Sequence, residues 1–153
     1  MLAEIRRVFA TVERGGGVTL HETRVLDGPG HGAETARREA RLQDTDQHWW
    51  EVRDEWIETI CGIGGLSFLD DEGFRYYLPA YMSYWLRTGQ EPCSLSFHLR
   101  FHNGRDFDNL FSPAEKATIA TFLLHLRRQL HDMEAEKTLR KGWRCYLQVP
   151  KKT

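Results

Sequence analysis

The stretch LSFLDDEGFRYYLPAYMSYWL, Leu66 to Leu86, decides the fold predicted for this sequence. Two apolar, aromatic-rich runs, LSFL and FRYYL, flank the polar segment DDEG. Acidic residues and a glycine between two such runs are typical of a β-hairpin. Pro79 then fits the first turn of a helix, where its missing N–H costs nothing. The stretch therefore predicts a small antiparallel hairpin followed directly by a helix that runs to Gly89.

The rest of the sequence predicts mostly helices. Thr19 and Glu22 have the spacing of a capping box, in which each residue binds the other's backbone amide. Ser112 and Glu115 form a second box, with Pro113 between them, before the longest predicted helix. The apolar residues of that helix recur on one side. They are Ile119, Phe122, Leu123, Leu126, Leu130 and Met133.

The segment SLSFHLRFH at 94–102 fits two kinds of secondary structure. Its apolar residues alternate with polar ones, which is the pattern of a half-buried strand, although SLSF also fits the start of a helix. With the hairpin, this gives a mainly helical α+β fold in which the long C-terminal helix packs on a small antiparallel hairpin. A length of 153 residues suits one domain, predicted over 1–149 with a tail at 150–153.

Composition limits the possible functions. The formal net charge of -1 disfavours a nucleic-acid partner, because binding to phosphates needs a clustered basic excess. No apolar run reaches the roughly 20 residues that span a bilayer, and no signal peptide is expected. The three cysteines form no C-x-x-C pair, so we expect free thiols, no metal site and a cytoplasmic location.

Several segments resemble a family of small bacterial proteins classed as a domain of unknown function. The resemblance covers most of the chain and is most specific in LSFLDDEGFRYYLPAYM, with GVTLHETRVLDG and LFSPAEKATIATFLLHL as further shared segments. It implies a mainly helical fold with a small hairpin, and it brings no established activity. The doubled tryptophan at 49–50, the inserted CGIGG and the extended basic C-terminus depart from the family pattern.

The charged residues of the opening stretch are candidate binding residues. Asp70, Asp71 and Glu72 are adjacent, and neighbouring carboxylates can act as acid and base or hold a divalent ion. DDEG offers too few spaced oxygens for a calcium loop, so Asp70 alternatively shapes a tight turn while the other acids are solvated. Arg75 interrupts the predicted second strand, where it either pairs with an acid or projects to a ligand.

Aromatic side chains are concentrated in the same region. A helix that begins near Pro79 places Tyr81, Tyr84 and Trp85 on one face, and Tyr77 immediately precedes it. Tyrosine and tryptophan are favoured in protein interfaces because they bury a large area and keep a polar group. The rings are therefore either core or a partly exposed contact surface.

A histidine and aspartate cluster supports a second hypothesis. His98 and His102 lie four residues apart, and Asp106 and Asp108 follow. Two histidines and a carboxylate can bind a transition metal, and their spacing suits a metal only if the segment is helical. On a strand the same spacing separates the imidazoles by roughly 13 Å.

We therefore expect a non-catalytic protein-binding module, an immunity or adaptor protein, without cofactor. Its partner would be another protein, such as a toxin, that contacts the acids at 70–72, Arg75 and the aromatic residues. The alternative is a metal-assisted hydrolase that uses the 98–108 cluster. Basic residues near the C-terminus are expected to complement a helix dipole and the acids Glu134 and Glu136 rather than bind nucleic acid.

Overall fold

The computed structural model describes residues 1–29, 33–62 and 64–147. The chain divides into two compact units. The middle unit is Thr11–Leu95, and the terminal unit combines Met1–Ala10 with Ser96–Thr153. The single domain over 1–149 stays a prediction, and the predicted tail at 150–153 lies outside the described residues.

The middle unit is built from helices and short helical turns. They are α2 (Leu20–Asp27), α3 (Glu34–Arg41), α4 (Asp54–Thr59) and α5 (Asp71–Thr88), with 3-10 turns at Trp49–Glu51 and Leu66–Phe68; α1 (Leu2–Val8) belongs to the terminal unit. α2 packs against α3, and α5 packs against the turn at Trp49–Glu51. The predicted capping box is confirmed, since Thr19 and Glu22 bind each other's backbone amides at 2.8 and 3.3 Å.

The terminal unit is organised around one long helix. Its other elements are α6 (Leu95–Phe101), α7 (Phe107–Leu110), α8 (Pro113–Leu130) and α9 (Met133–Thr138), then a π-helical turn at Leu139–Trp143 and 3-10 turns at His102–Gly104 and Arg144–Tyr146. α8 contacts α1, α9 and the last two turns. The capping box at Ser112 and Glu115 is confirmed, with Pro113 as the first helical residue. The apolar stripe of α8 is buried through Leu126 and exposed at Leu130.

The predicted α+β fold is wrong, because the described residues contain no strand and no hairpin. The segment DDEG starts α5 instead of turning a hairpin. Asp70 accepts a hydrogen bond from the Gly73 amide at 2.9 Å, which is the geometry of a helix N-cap. Pro79 lies inside α5 rather than in its first turn. As predicted, α5 ends at Gly89, and this glycine adopts the left-handed conformation.

A long-range contact explains why this sequence forms a helix. The same Asp70 oxygen also accepts from the Val18 amide at 2.9 Å. A Cβ atom on residue 73 would lie 2.5 Å from the Val18 carbonyl oxygen, so only glycine permits this close approach. The aspartate and the glycine thus join the start of α5 to the chain at residue 18, which is 52 residues away from Asp70.

The segment at 94–102 is also helical, so the strand prediction is wrong. α6 buries Leu95 and Leu99, whereas Phe97 and Phe101 are 51% and 52% exposed. Residues four apart share one face of a helix. The two leucines therefore lie on the buried face and the two phenylalanines on the opposite, exposed face. The π-helical turn contacts the backbone of α6, because Trp143 Nε1 donates to the Leu99 carbonyl at 2.8 Å.

The expectation of free thiols is wrong for two of the three cysteines. Cys61 and Cys93 form a disulfide, with their Cα atoms 5.2 Å apart, while Cys145 is a free, exposed thiol. The two half-cystines are separated by 32 residues, and this loop contains the whole of α5. A pairing between such distant residues leaves no local pattern in the sequence.

Candidate functional site

The predicted acidic site lies at the first turn of α5. Asp70 is occupied as the N-cap, and its carboxylate accepts from two backbone amides. Asp71 and Glu72 are exposed first-turn residues, where negative charge complements the positive end of the helix dipole. Arg75 is half-buried on the same helix. The structure therefore gives the three acids a structural role, and their binding role stays a prediction.

The predicted aromatic contact surface lies inside the protein. Tyr77, Tyr81 and Trp85 are completely buried, and Tyr84 is 6% exposed. The hydroxyl of Tyr84 donates to Glu58 at 3.0 Å, and that of Tyr77 accepts from Arg14 at 3.3 Å. These rings are core residues of the middle unit, and a partner could reach them only after α5 had moved.

A buried polar network surrounds the rings. Tyr76 donates to Asp46 at 2.6 Å, and the same carboxylate oxygen accepts from Arg14 at 3.0 Å. Burial raises the pKa of both Tyr76 and Tyr77 far above the ordinary range, and the nearby Asp46 carboxylate raises it further. Nearby, His21 Nδ1 lies 2.9 Å from Asp44. Sequence analysis missed this network because its members come from four separate segments.

The histidine and aspartate cluster is only partly assembled. His98 is buried, and this burial, together with the nearby Arg105 charge, lowers its pKa to about 4. His102 stacks on Phe107 with ring centroids 4.2 Å apart, and Asp106 caps α7 by accepting from the amides of residues 108 and 109. No group of three or more His, Cys, Asp or Glu in the described parts of the chain could hold a metal ion.

A small cavity of about 230 Å³ does adjoin this cluster. His102, Asp106 and Asp108 line it together with residues from α8 and the last turns. Asp108 accepts from the Tyr146 hydroxyl at 2.8 Å and from Lys116 Nζ at 3.2 Å, and these bonds lower its pKa. In return, the hydrogen bond to Asp108 raises the pKa of Tyr146 to about 12. The carboxylate that faces the cavity is thus already paired within the protein.

A larger groove lies on the surface of the terminal unit. Its volume is about 810 Å³, and it runs between α1, α8 and the last turn. Ala114, Ala117, Thr118 and Thr121 form its α8 wall, one face of the helix made of small residues. Three arginines and one acid complete its polar lining: Glu4, Arg7, Arg128 and Arg144. We call this feature the α1–α8 groove.

An arginine cluster adjoins the groove. The carboxylate of Glu136, whose side chain is 7% exposed, lies 2.6 Å from Nε of Arg127 and of Arg140 and 3.4 Å from Arg144. Burial opposes ionisation of Glu136, but the Arg140 hydrogen bond and the three positive charges outweigh it, so its pKa is lowered. The predicted pairing of basic C-terminal residues with Glu134 and Glu136 is confirmed for Lys137, Arg140 and Arg144, whereas Lys151 and Lys152 lie outside the described residues.

Sequence analysis missed the groove and the surplus charge of the cluster. Arg127 and Arg128 lie in the last turn of α8, and Arg140 and Arg144 are four residues apart. That spacing was the available signal, because it places both side chains on one side of a helical segment. The exposed pair Phe97 and Phe101, with ring centroids 4.8 Å apart, was missed because a strand would have turned them inward.

Comparison with known proteins shows the family but not the activity. A family model described as a family of unknown function (DUF6714) matches residues 1–146. The chain therefore belongs to this family, and the predicted resemblance to a domain of unknown function is confirmed. Its bacterial origin and the marker pattern stay predictions. No curated protein and no solved structure matches the sequence.

Of the helices in the described residues, none has both the length and the apolar character required to cross a membrane. The cytoplasmic location stays a prediction.

Proposed function

We propose that this chain is a non-catalytic protein-binding module whose partner docks in the α1–α8 groove. The groove carries the proposal, because it is an open surface depression of about 810 Å³ with an apolar wall. Small side chains at 114, 117, 118 and 121 let another helix approach the α8 backbone closely. The proposal thus moves the contact surface from the buried aromatic residues of α5 to the exposed side of α8.

Charge indicates the nature of the partner segment. Glu4 pairs with Arg7 through two contacts of 2.6 and 3.0 Å, so this acid is already neutralised. Arg128 has no hydrogen bond or ion pair with any described residue, and within the same part of the chain the Arg144 side chain pairs only with Glu136, at 3.4 Å. An acidic amphipathic helix of the partner would place its apolar side against α8 and its carboxylates at these arginines.

The exposed phenylalanines of α6 support a role in protein contact. Phe97 and Phe101 touch each other and are each about half exposed. Aromatic residues are enriched in protein interfaces relative to the rest of the surface. In its more specific form, the proposal makes the chain an immunity or adaptor protein and the partner a toxin or another protein that it restrains.

Filling the groove tests the proposal. Thr121 is exposed on α8 and lines the groove, so Thr121→Tyr occupies it without disturbing the core. Thr35, exposed on α3 outside the groove, is the matched control as Thr35→Tyr. The wild-type and Thr35→Tyr proteins should retain a stoichiometric partner that cross-links to residues 117–128, and Thr121→Tyr should lose it.

Two results would contradict the proposal. One is a partner that remains bound equally well to Thr121→Tyr; the other is a cross-link map that places the partner away from α1 and α8. The hydrolase alternative stays a prediction and has its own test, elemental analysis of the purified protein. Stoichiometric zinc, manganese or iron, lost on His102→Ala substitution, would favour it.

A further inference from the structure

An open surface cavity rich in arginine lies between the end of α8 and the start of α9. It has a volume of about 420 Å³ and lies on the terminal unit. It is lined by Arg127, Arg128, His131, Met133, Glu136 and Arg140. A cavity of this size is within the range of small-molecule sites. None of its residues belongs to the predicted sites at 70–85 or 98–108.

The cavity carries more positive than negative charge. Three arginines line it against one carboxylate, that of Glu136, which pairs with Arg127 and Arg140, while Arg128 has no partner among the described residues. The arginines remain accessible, since the side chains of Arg127 and Arg140 are 47% and 68% exposed. Like charges that line one cavity repel one another, and a bound anion would relieve the repulsion.

Glu136 orients the guanidinium group of Arg140 by a hydrogen bond and pairs with that of Arg127 by charge alone. It contacts Arg127 and Arg140 through their Nε atoms, at 2.6 Å each. Within the described ranges, no residue accepts a hydrogen bond from the terminal nitrogens of these two arginines. A guanidinium group that is fixed at Nε still presents a planar pair of donors, which matches the oxygens of a phosphate group.

From this arrangement we propose that the cavity binds the phosphate group of a small phosphorylated organic molecule. Arg127, Arg128 and Arg140 would donate to the phosphate oxygens. Met133, which is 66% exposed and lines the same cavity, would contact the organic part of the ligand. A polynucleotide fits less well, because the charge is confined to one cavity and the chain as a whole is at -1. The proposal does not depend on the protein-binding function, although Arg128 lines both this cavity and the α1–α8 groove.

Isothermal titration with phenyl phosphate, at constant ionic strength, tests this site. The wild-type protein should bind one equivalent saturably, and inorganic phosphate should compete for the same site. Arg128→Gln should weaken phenyl phosphate binding about tenfold, since hydrogen bonds to charged groups are among the stronger ones. It removes no contact with a described residue, so the protein should keep its melting temperature. Arg140→Gln is the second variant, and it too should weaken phenyl phosphate binding.

Arg38→Gln is the matched control. Arg38 is an exposed arginine on α3, paired with Glu34 and outside the cavity, so its loss should leave the affinity unchanged. The proposal is overturned if no saturable heat is observed or if Arg38→Gln weakens binding as much as Arg128→Gln. Binding of a single-stranded oligonucleotide, steeply salt-dependent and without competition by phenyl phosphate, would also overturn it.

Discussion

α5 and α8 are both 18 residues long, and both begin with a side-chain cap, yet they have opposite roles. Eleven residues of α5 are buried, including its tyrosines and its tryptophan. Seven residues of α8 are buried, and one side of the helix forms a wall of the α1–α8 groove. The helix with the conspicuous aromatic sequence is interior, and the helix with small and basic residues carries the candidate surface.

The difference shows why a high density of aromatic residues in the sequence does not by itself indicate a contact surface. Tyrosine suits an interface because its hydroxyl needs a polar partner, but a buried carboxylate meets the same need. Asp46 provides that partner for Tyr76, and Glu58 provides it for Tyr84. Both acids lie outside α5 in sequence, so the helix alone does not reveal that these two hydroxyls are satisfied internally.

The largest expected effect is the difference in unfolding free energy lost by a substitution in α5 and by one in α8. Replacing Tyr81 by alanine should lower the free energy of unfolding by about 3–5 kcal/mol, because a completely buried ring leaves a cavity. Replacing the exposed Thr121 by alanine should change it by no more than about 0.5 kcal/mol. Urea-induced unfolding of both variants measures the difference. Equal losses would mean that the comparison between the helices is wrong.

The pH dependence of stability gives the second prediction. His98, in the terminal unit, has its pKa lowered to about 4 in the folded protein, against an ordinary 6.5. The unfolded chain therefore binds more protons between these values, so stability is fully present above pH 6.5 and is lost as the pH falls to about 4. The loss should be about 2–3 kcal/mol. Tyr76 and Tyr77 of α5, whose pKa is raised, add no pH dependence of stability between these two values.

His98→Asn identifies the source of this pH dependence. Its unfolding free energy, measured by urea between pH 4 and 7, should vary less with pH than that of the wild type. A variant with the wild-type slope would show that another group titrates on unfolding.

The smallest expected effect is the difference in stability lost when the cap of α5 or the cap of α8 is removed. Asp70→Ala should cost about 2 kcal/mol, because the carboxylate accepts from both Gly73 and Val18. Ser112→Ala should cost about 1 kcal/mol, since the serine hydroxyl accepts from one amide only, that of Glu115. Thermal unfolding of the two variants under the same conditions gives the comparison. A larger loss for Ser112→Ala would show that the contact between Asp70 and Val18 contributes little.

Local signals were enough to predict part of the fold. The boxes at Thr19 and Ser112 and the end of α5 at Gly89 were predicted correctly, because each depends on residues a few positions apart. The hairpin failed for the opposite reason. Aspartate followed by glycine is equally suited to a tight turn and to a helix start, and the contact of Asp70 with Val18, 52 residues away, decides between them.

The candidate site was less predictable than the fold. The arginines around Glu136 lie within 18 residues of sequence, so their spacing contained a signal. The groove required α1 and α8 to pack together, and nothing in either segment alone indicates this. His98 was predicted only as a ligand of the alternative metal site, and its burial and lowered pKa were not predicted.

The disulfide between Cys61 and Cys93 gives this sequence two different unfolded states. With the bond intact, the denatured chain is a closed ring around the residues of α5 and has fewer conformations than an open chain. For a ring of this length, the entropy difference corresponds to about 3–4 kcal/mol. Glutathione in a reducing compartment would open the ring and remove that contribution. The redox potential of its surroundings thus determines how often the aromatic interior of the protein opens to water.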